Sequence, residues 1–121
     1  MTRIAVTSQG PTLNDEVDPR FGRAAGFVVA GADGSDLQYV DNGSSQALSQ
    51  GAGIQAAELI ARAGAKVLLT GYVGPKAWRA LERAGVAVVQ DVQGMTVGQA
   101  LEAWNSGSLK AAQGPNAEGH R

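Results

Sequence analysis

Lys66-Val67-Leu68-Leu69-Thr70-Gly71-Tyr72-Val73-Gly74-Pro75-Lys76 is the stretch that decides the fold. Its first five residues run apolar without polar alternation, as in a strand covered on both faces. Two glycines then turn the chain, and Pro75 suits the first position of a helix, where a missing N–H costs nothing. Ala77, Leu81 and Ala84 fall on one side of that helix and Lys76, Arg79 and Arg83 on the other. Gly85 stops it, and Val86-Ala87-Val88-Val89 reads as the next strand. Strand, helix and strand in succession predict a parallel pair joined by a right-handed crossover.

Upstream, Ala52, Ala56, Leu59, Ile60 and Ala63 share a helical face opposite Gln55, Glu58 and Arg62, and Gly64 ends the helix. Arg3–Thr7, Phe27–Ala30 and Leu37–Val40 read as strands. The turn-forming run Gly31-Ala32-Asp33-Gly34-Ser35 makes the second and third an antiparallel hairpin. Downstream, Thr96 and Gln99 form a capping box for a helix whose buried face holds Val97, Leu101 and Trp104. The predicted order is βββαβαβα, a mixed five-stranded α/β sheet flanked by helices. The domain spans residues 1–110. From Gly107 periodicity fades, and residues 111–121 are expected to be a flexible tail; deleting residues 114–121 is expected to leave the fold and binding intact.

Composition narrows the function. The 121 residues are 44% hydrophobic and 17% charged, which suits one globular domain. A net charge of -1 gives no basic footprint for nucleic acid. No apolar run is long enough to span a membrane. Met1-Thr2-Arg3-Ile4 leads straight into a strand, so no signal peptide and a cytoplasmic location are expected. With no cysteine, thiolate zinc and cysteine-ligated iron–sulfur sites are excluded, and the single histidine, His120, falls in the tail.

Three segments carry candidate chemistry. The 19 residues from Ser8 to Gly26 are long for a plain connection and contain Arg20, Phe21, Gly22 and Arg23. Gly51 and Gly53 open one helix; Thr70, Gly71, Gly74 and Lys76 lead into another. In the predicted topology these segments and three helix N-termini emerge at one sheet edge. Helix N-termini present free N–H groups and positive dipole ends, which suit anions. Glycines allow close approach, and Arg20, Arg23 and Lys76 add positive charge. Each feature also has a plain structural use. The glycines can simply turn the chain, the arginines can pair with Asp15, Glu16 or Asp18, and Phe21 can anchor packing. Met95 beside the predicted pocket has a soft sulfur, but a core role explains it as well.

Together, Val17-Asp18-Pro19-Arg20-Phe21-Gly22-Arg23-Ala24, Gly51-Ala52-Gly53-Ile54, Leu69–Ala77 and Gly94-Met95-Thr96-Val97 resemble the dinitrogenase iron–molybdenum cofactor biosynthesis domain family. The resemblance covers most of residues 1–110 in the family's order. It implies a ribonuclease H-like fold, which the element order also resembles. Within the family the opening Ile4–Pro11 and the chain's size are most similar to a member with a non-covalently held molybdenum–copper sulfide cluster. That implies a carrier, storage or regulatory protein and not an enzyme, with no side chain ligating metal. The expected site is Arg20, Phe21, Gly22, Arg23, Gly51, Gly53, Thr70, Gly71, Gly74, Lys76 and Met95. Some relatives place a histidine or cysteine at the metal; this chain offers neither in its expected domain.

Other readings stay open on the residues alone. A nuclease of this fold needs clustered carboxylates, and the first strand, Ile4-Ala5-Val6-Thr7, has none. A phosphate or nucleotide binder would use the same helix ends, although no Walker motif is present. The resemblance also implies possible partnership with ParA/MinD-type ATPases, in which case the chain acts as a metal-free regulatory module. A monomer is expected.

Overall fold

Alternation along the strands sorts their side chains between two layers. The computed structural model describes residues 2–48 and 50–116. Strands β1 (Arg3–Ser8), β2 (Gly26–Gly31), β3 (Gln38–Asp41), β4 (Ala65–Leu69) and β5 (Ala87–Val89) form one sheet in the order β3-β2-β1-β4-β5. The first three strands run as an antiparallel meander; β4 pairs parallel with β1, and β5 parallel with β4. The expected mixed five-stranded α/β sheet is therefore present.

Helices α2 (Ala52–Arg62) and α3 (Pro75–Arg83) cover one face, closing over Ala5, Phe27, Val29, Leu68 and Val88. Helix α4 (Val97–Asn105) covers the other, over Ile4, Val6, Val28, Val67, Leu69 and Val89. Every one of these strand side chains is buried. The buried stripes are Ala52, Ala56, Ala57 and Ile60 on α2, Ala77 and Leu81 on α3, and Val97, Ala100 and Leu101 on α4. The capping box is present: the Gln99 amide donates to Thr96 Oγ1 at 3.2 Å and the Thr96 amide to Gln99 Oε1 at 2.9 Å.

Two features depart from expectation. A short helix, α1 (Gly43–Gln46), follows β3. Gly43-Ser44-Ser45-Gln46 has no apolar period to announce a helix; partners distant in sequence hold it. Ser45 donates to Gln55 Oε1 at 2.9 Å, and Arg23 donates to the Gln46 carbonyl at 2.9 Å. The second is the segment expected to be a loose tail. As far as it is described, it is hydrogen-bonded. The Ala112 amide donates to the Val88 carbonyl and Gln90 Nε2 to the Gly114 carbonyl, both at 2.7 Å. Backbone and amide bonds of this kind need no apolar stripe, so periodicity could not reveal them. Residues 117–121, with His120, lie outside the described residues.

Phe21 belongs to this architecture. Its ring is buried and tilted 39° against Phe27 with centroids 5.7 Å apart, under α2 and α3. Phe21→Ala should lower the unfolding free energy by about 3–5 kcal/mol, the usual cost of deleting a buried aromatic ring. Urea titration followed by circular dichroism reads this directly. A loss well under 1 kcal/mol would show that the ring does not anchor the loop.

Candidate functional site

The carboxyl ends of β1, β3, β4 and β5 share one edge of the sheet, so everything that follows them is gathered there. Crevices at this edge are the usual ligand sites of open α/β sheets. The long segment after β1 folds across the edge and is stitched to it. Thr7 Oγ1 donates to the Asp18 carbonyl at 2.7 Å and lies 3.0 Å from Thr70 Oγ1. The Asp18 amide returns to the Thr7 carbonyl at 2.9 Å. The Tyr72 amide donates to the Pro19 carbonyl at 2.6 Å, and the Phe21 amide to the Tyr72 carbonyl at 3.3 Å. Residues 19–21 and the chain leaving β4 thus pair like short parallel strands, with Arg20 opposite Tyr72.

The same segment then meets the helices. A Cβ on Gly22 would stand 2.8 Å from the Gly53 nitrogen, and one on Gly53 would stand 2.7 Å from Ala77 Cβ. A Cβ on Gly71 would stand 2.4 Å from the Pro19 carbonyl oxygen. Glycine at these positions allows an approach that no other residue permits. The result is that the first turns of α2 and α3 lie side by side behind Gly22. Gln55 and Trp78 are the first residues to make the helical bonds, to the Gly51 and Gly74 carbonyls. Among the described residues, the amides of Ala52, Gly53 and Ile54 on α2, and of Lys76 and Ala77 on α3, make no hydrogen bond. Gly51, at φ +76°, adopts the left-handed conformation just before α2.

The third helix end does not join this cradle. On α4, the Val97 amide donates to the Asp15 carbonyl at 2.8 Å and the Gly98 amide to the Leu13 carbonyl at 2.9 Å. With the capping box taking Thr96 and Gln99, the N-terminus of α4 has no N–H left for a ligand.

The charged groups divide likewise. Arg20 has its side chain 63% exposed and its Nε 3.6 Å from a buried Asp18 carboxylate oxygen, so its charge is at the rim and partly offset. Arg23 is engaged by the chain itself: its Nη1 donates to the Gln46 and Leu48 carbonyls at and just after the end of α1, while Gln46 Nε2 returns to the Arg23 carbonyl. Lys76 is exposed at the start of α3. Two groups with shifted ionisation lie elsewhere, on the β2–β3 hairpin. Hydrogen bonds from Ser35 hold the Asp33 carboxyl below its ordinary value; burial, aided by Asp41 and Asp15, pushes the Tyr39 hydroxyl up.

Of the residues expected at the site, Arg20, Gly22, Gly51, Gly53, Gly71, Gly74 and Lys76 gather around the paired ends of α2 and α3. Phe21 lies beneath them in the core, Thr70 is consumed in the buried hydroxyl pair with Thr7, and Met95 packs half-buried in the α4 layer. The structure adds two apolar side chains at this edge. Tyr72 is 45% exposed and Ile54 39% exposed. The sequence held a signal for each: Ile54 falls off the buried stripe of α2, and Tyr72 lies inside a glycine-flanked turn. Among the described residues no group of three or more histidines, cysteines or carboxylates is placed to hold a bare metal ion.

Comparison with known proteins identifies the family and the fold. Residues 1–107 match the family model for dinitrogenase iron-molybdenum cofactor proteins. The chain is 59% identical to the apo form of the orange protein from Desulfovibrio gigas, with a TM-score of 0.94 over 97% of this chain and 98% of that one. It is 28% identical to a putative NifB protein from Thermotoga, with a TM-score of 0.80 over 97% of this chain and 100% of that one. No curated protein matches the sequence significantly. The match spans nearly all of the described fold and every segment of the cradle, and the chain belongs to the dinitrogenase iron-molybdenum cofactor family.

Proposed function

We propose that this protein carries or stores a compact anionic metal–sulfur cluster, a molybdenum–copper sulfide, held without covalent bonds from the protein, and that it is not an enzyme. The observation that carries the reading is the pairing of the α2 and α3 N-termini, whose unbonded amides share one edge behind a glycine contact. Its likeness to the orange protein supports the same reading.

The donor set fits such a group. Sulfides complete the coordination of the metals, so the protein need supply only N–H donors, a little positive charge and shape. Amides of Ala52, Gly53 and Ile54 and of Lys76 and Ala77 are the donors, and Arg20 and Lys76 are the charges. Hydrogen bonds to a charged group contribute about 1.5–3 kcal/mol each, so several suffice for stable retention. The exposed Tyr72 and Ile54 side chains favour a sulfide cluster over phosphate. A soft, weakly hydrated anion loses little by touching apolar surface, whereas a strongly hydrated one must give up water. When bound, the cluster would supply the visible absorbance and any redox capacity; the chain supplies binding, orientation and partial exclusion of water.

The test is reconstitution. Apo-protein mixed anaerobically with tetrathiomolybdate and Cu(I) should yield a coloured species that co-elutes with the monomer, while phosphate and nucleotides should leave its melting temperature unmoved. Colour that separates from protein on a desalting column would refute the proposal.

Two substitutions should then behave differently. Arg20→Ala removes an exposed, Asp18-tempered charge and should weaken cluster binding only about two- to fivefold, as expected for an exposed ion pair of up to about 1 kcal/mol. That loss should vanish at high salt. Gly22→Ala pushes a methyl group into the α2 backbone and should weaken binding at all salt concentrations. Equal salt dependence in the two variants would mean that charge, and not the shape of the cradle, governs retention.

A further inference from the structure

The β4–α3 connection is paired on both of its sides, and its second partner comes from the far end of the chain. Tyr72 uses its own amide and carbonyl on Pro19 and Phe21. The flanking residues Gly71 and Val73 present the opposite side, as successive residues of an extended chain do. There the Asn116 side chain reads them both. The Val73 amide donates to Asn116 Oδ1 at 2.9 Å, and Asn116 Nδ2 donates to the Gly71 carbonyl at 2.9 Å and to Asp91 Oδ1 at 3.3 Å. The side-chain amide does what a neighbouring strand would do, with one donor and one acceptor in register. Asn116 is itself held, its backbone amide donating to Gln90 Oε1 at 2.9 Å.

We infer that Asn116 is a positioning residue for the candidate site: it latches the Gly71–Val73 connection so that the unbonded amides at the start of α3 keep their place beside those of α2. On this side the Asp91 amide also donates to the Gly71 carbonyl at 3.0 Å and the Val73 side chain is buried in the core, so the group left to Asn116 alone is the Val73 amide. Gly74 follows Val73 directly and precedes the first turn of α3, so any shift of the Val73 peptide passes straight into Lys76 and Ala77. The C-terminal segment therefore acts as a strap: its Ala112 amide bonds to the outer edge of β5, and its last described residue closes on the rim. The effect on retention rests on the function proposed above; the latch itself does not.

Two readouts separate the claims. In the apo-protein, Asn116→Ala and a chain ending at residue 113 should each speed amide hydrogen exchange at Val73 by roughly tenfold or more, the effect of losing a local bond of about 1.4 kcal/mol. Exchange at Leu68 in the sheet should stay unchanged. In the cluster-loaded protein, cluster release should accelerate by a similar factor. The double variant Asn116→Asp with Asp91→Asn exchanges amide and carboxylate across one contact. It should recover part of both losses, whereas Asn116→Asp alone, which sets two carboxylates face to face, should not. Unchanged Val73 exchange in Asn116→Ala would overturn the latch. Faster exchange with unchanged release would overturn its role at the site. A wild-type chain that takes up no cluster would instead remove the proposed function and leave the exchange result to decide the latch.

Discussion

Nothing larger than hydrogen fits on Gly22 without displacing the first turn of α2, because a Cβ there would stand 2.8 Å from the Gly53 nitrogen and 2.9 Å from its Cα. Gly53 leaves only 2.7 Å to the methyl group of Ala77. Three small residues from three segments are stacked at one point, and that stack sets two helix ends side by side. The arrangement is not favourable in itself. A glycine inside a helix costs about 0.5–1 kcal/mol relative to alanine. Two helix N-termini also bring two positive partial charges of about half an elementary charge together. Both penalties are local to this edge, and an anion seated across the two ends would relieve the second.

Among the described residues, no carboxylate is hydrogen-bonded to the amides of these two helix ends. Asp18, in the loop that crosses this edge, turns its Oδ1 to the Arg20 amide at 3.0 Å and to the Arg20 guanidinium. The backbone carbonyls of Leu13 and Asp15 satisfy α4 instead, on the opposite face of the sheet. Of the three longer helices that begin at this edge, one is saturated by the loop after β1 and two are left with open amides. With a net charge of -1, the molecule has no broad positive field to draw ligands from a distance. On the proposed function, attraction of an anion here would be short-ranged, carried by fixed dipoles more than by mobile cations, and so would depend on fit.

The sequence made the fold legible wherever a periodic pattern carried it. The apolar run of β4, the stripe of α2, Pro75 at the start of α3 and the Thr96–Gln99 capping box are local signals, and each element formed where its signal lay. At the site, the glycines were legible as places of close approach, and topology was enough to bring them to one edge. What the sequence withheld depends on partners distant in the chain. Arg23 looked like a free guanidinium, and nothing in the sequence announced its Nη1 bonds to the Gln46 and Leu48 carbonyls. The Thr96 cap looked like a third anion site, but residues 13 and 15 fill it. Asn116, in a stretch without any apolar period, gave no sign of its bonds to residues more than forty positions earlier.

These non-local bonds have a common form: they bind backbone to backbone, or a polar side chain to backbone. Thr7 with Asp18, Pro19 with Tyr72, and Asn116 with Gly71 and Val73 all fix the path of the main chain without needing a particular packed side chain. A cradle made of amides has to be built this way, since its functional groups are main-chain atoms whose positions follow from the path alone. Side chains enter mainly by being absent, at Gly22, Gly53 and Gly71, or by facing outward, at Ile54 and Tyr72. A site of this construction can be rigid while its visible chemistry is sparse. Among the described residues it presents few titrating groups and no evident ligand set, and on the proposed function its specificity would lie in the spacing of N–H groups held by two neighbouring helices.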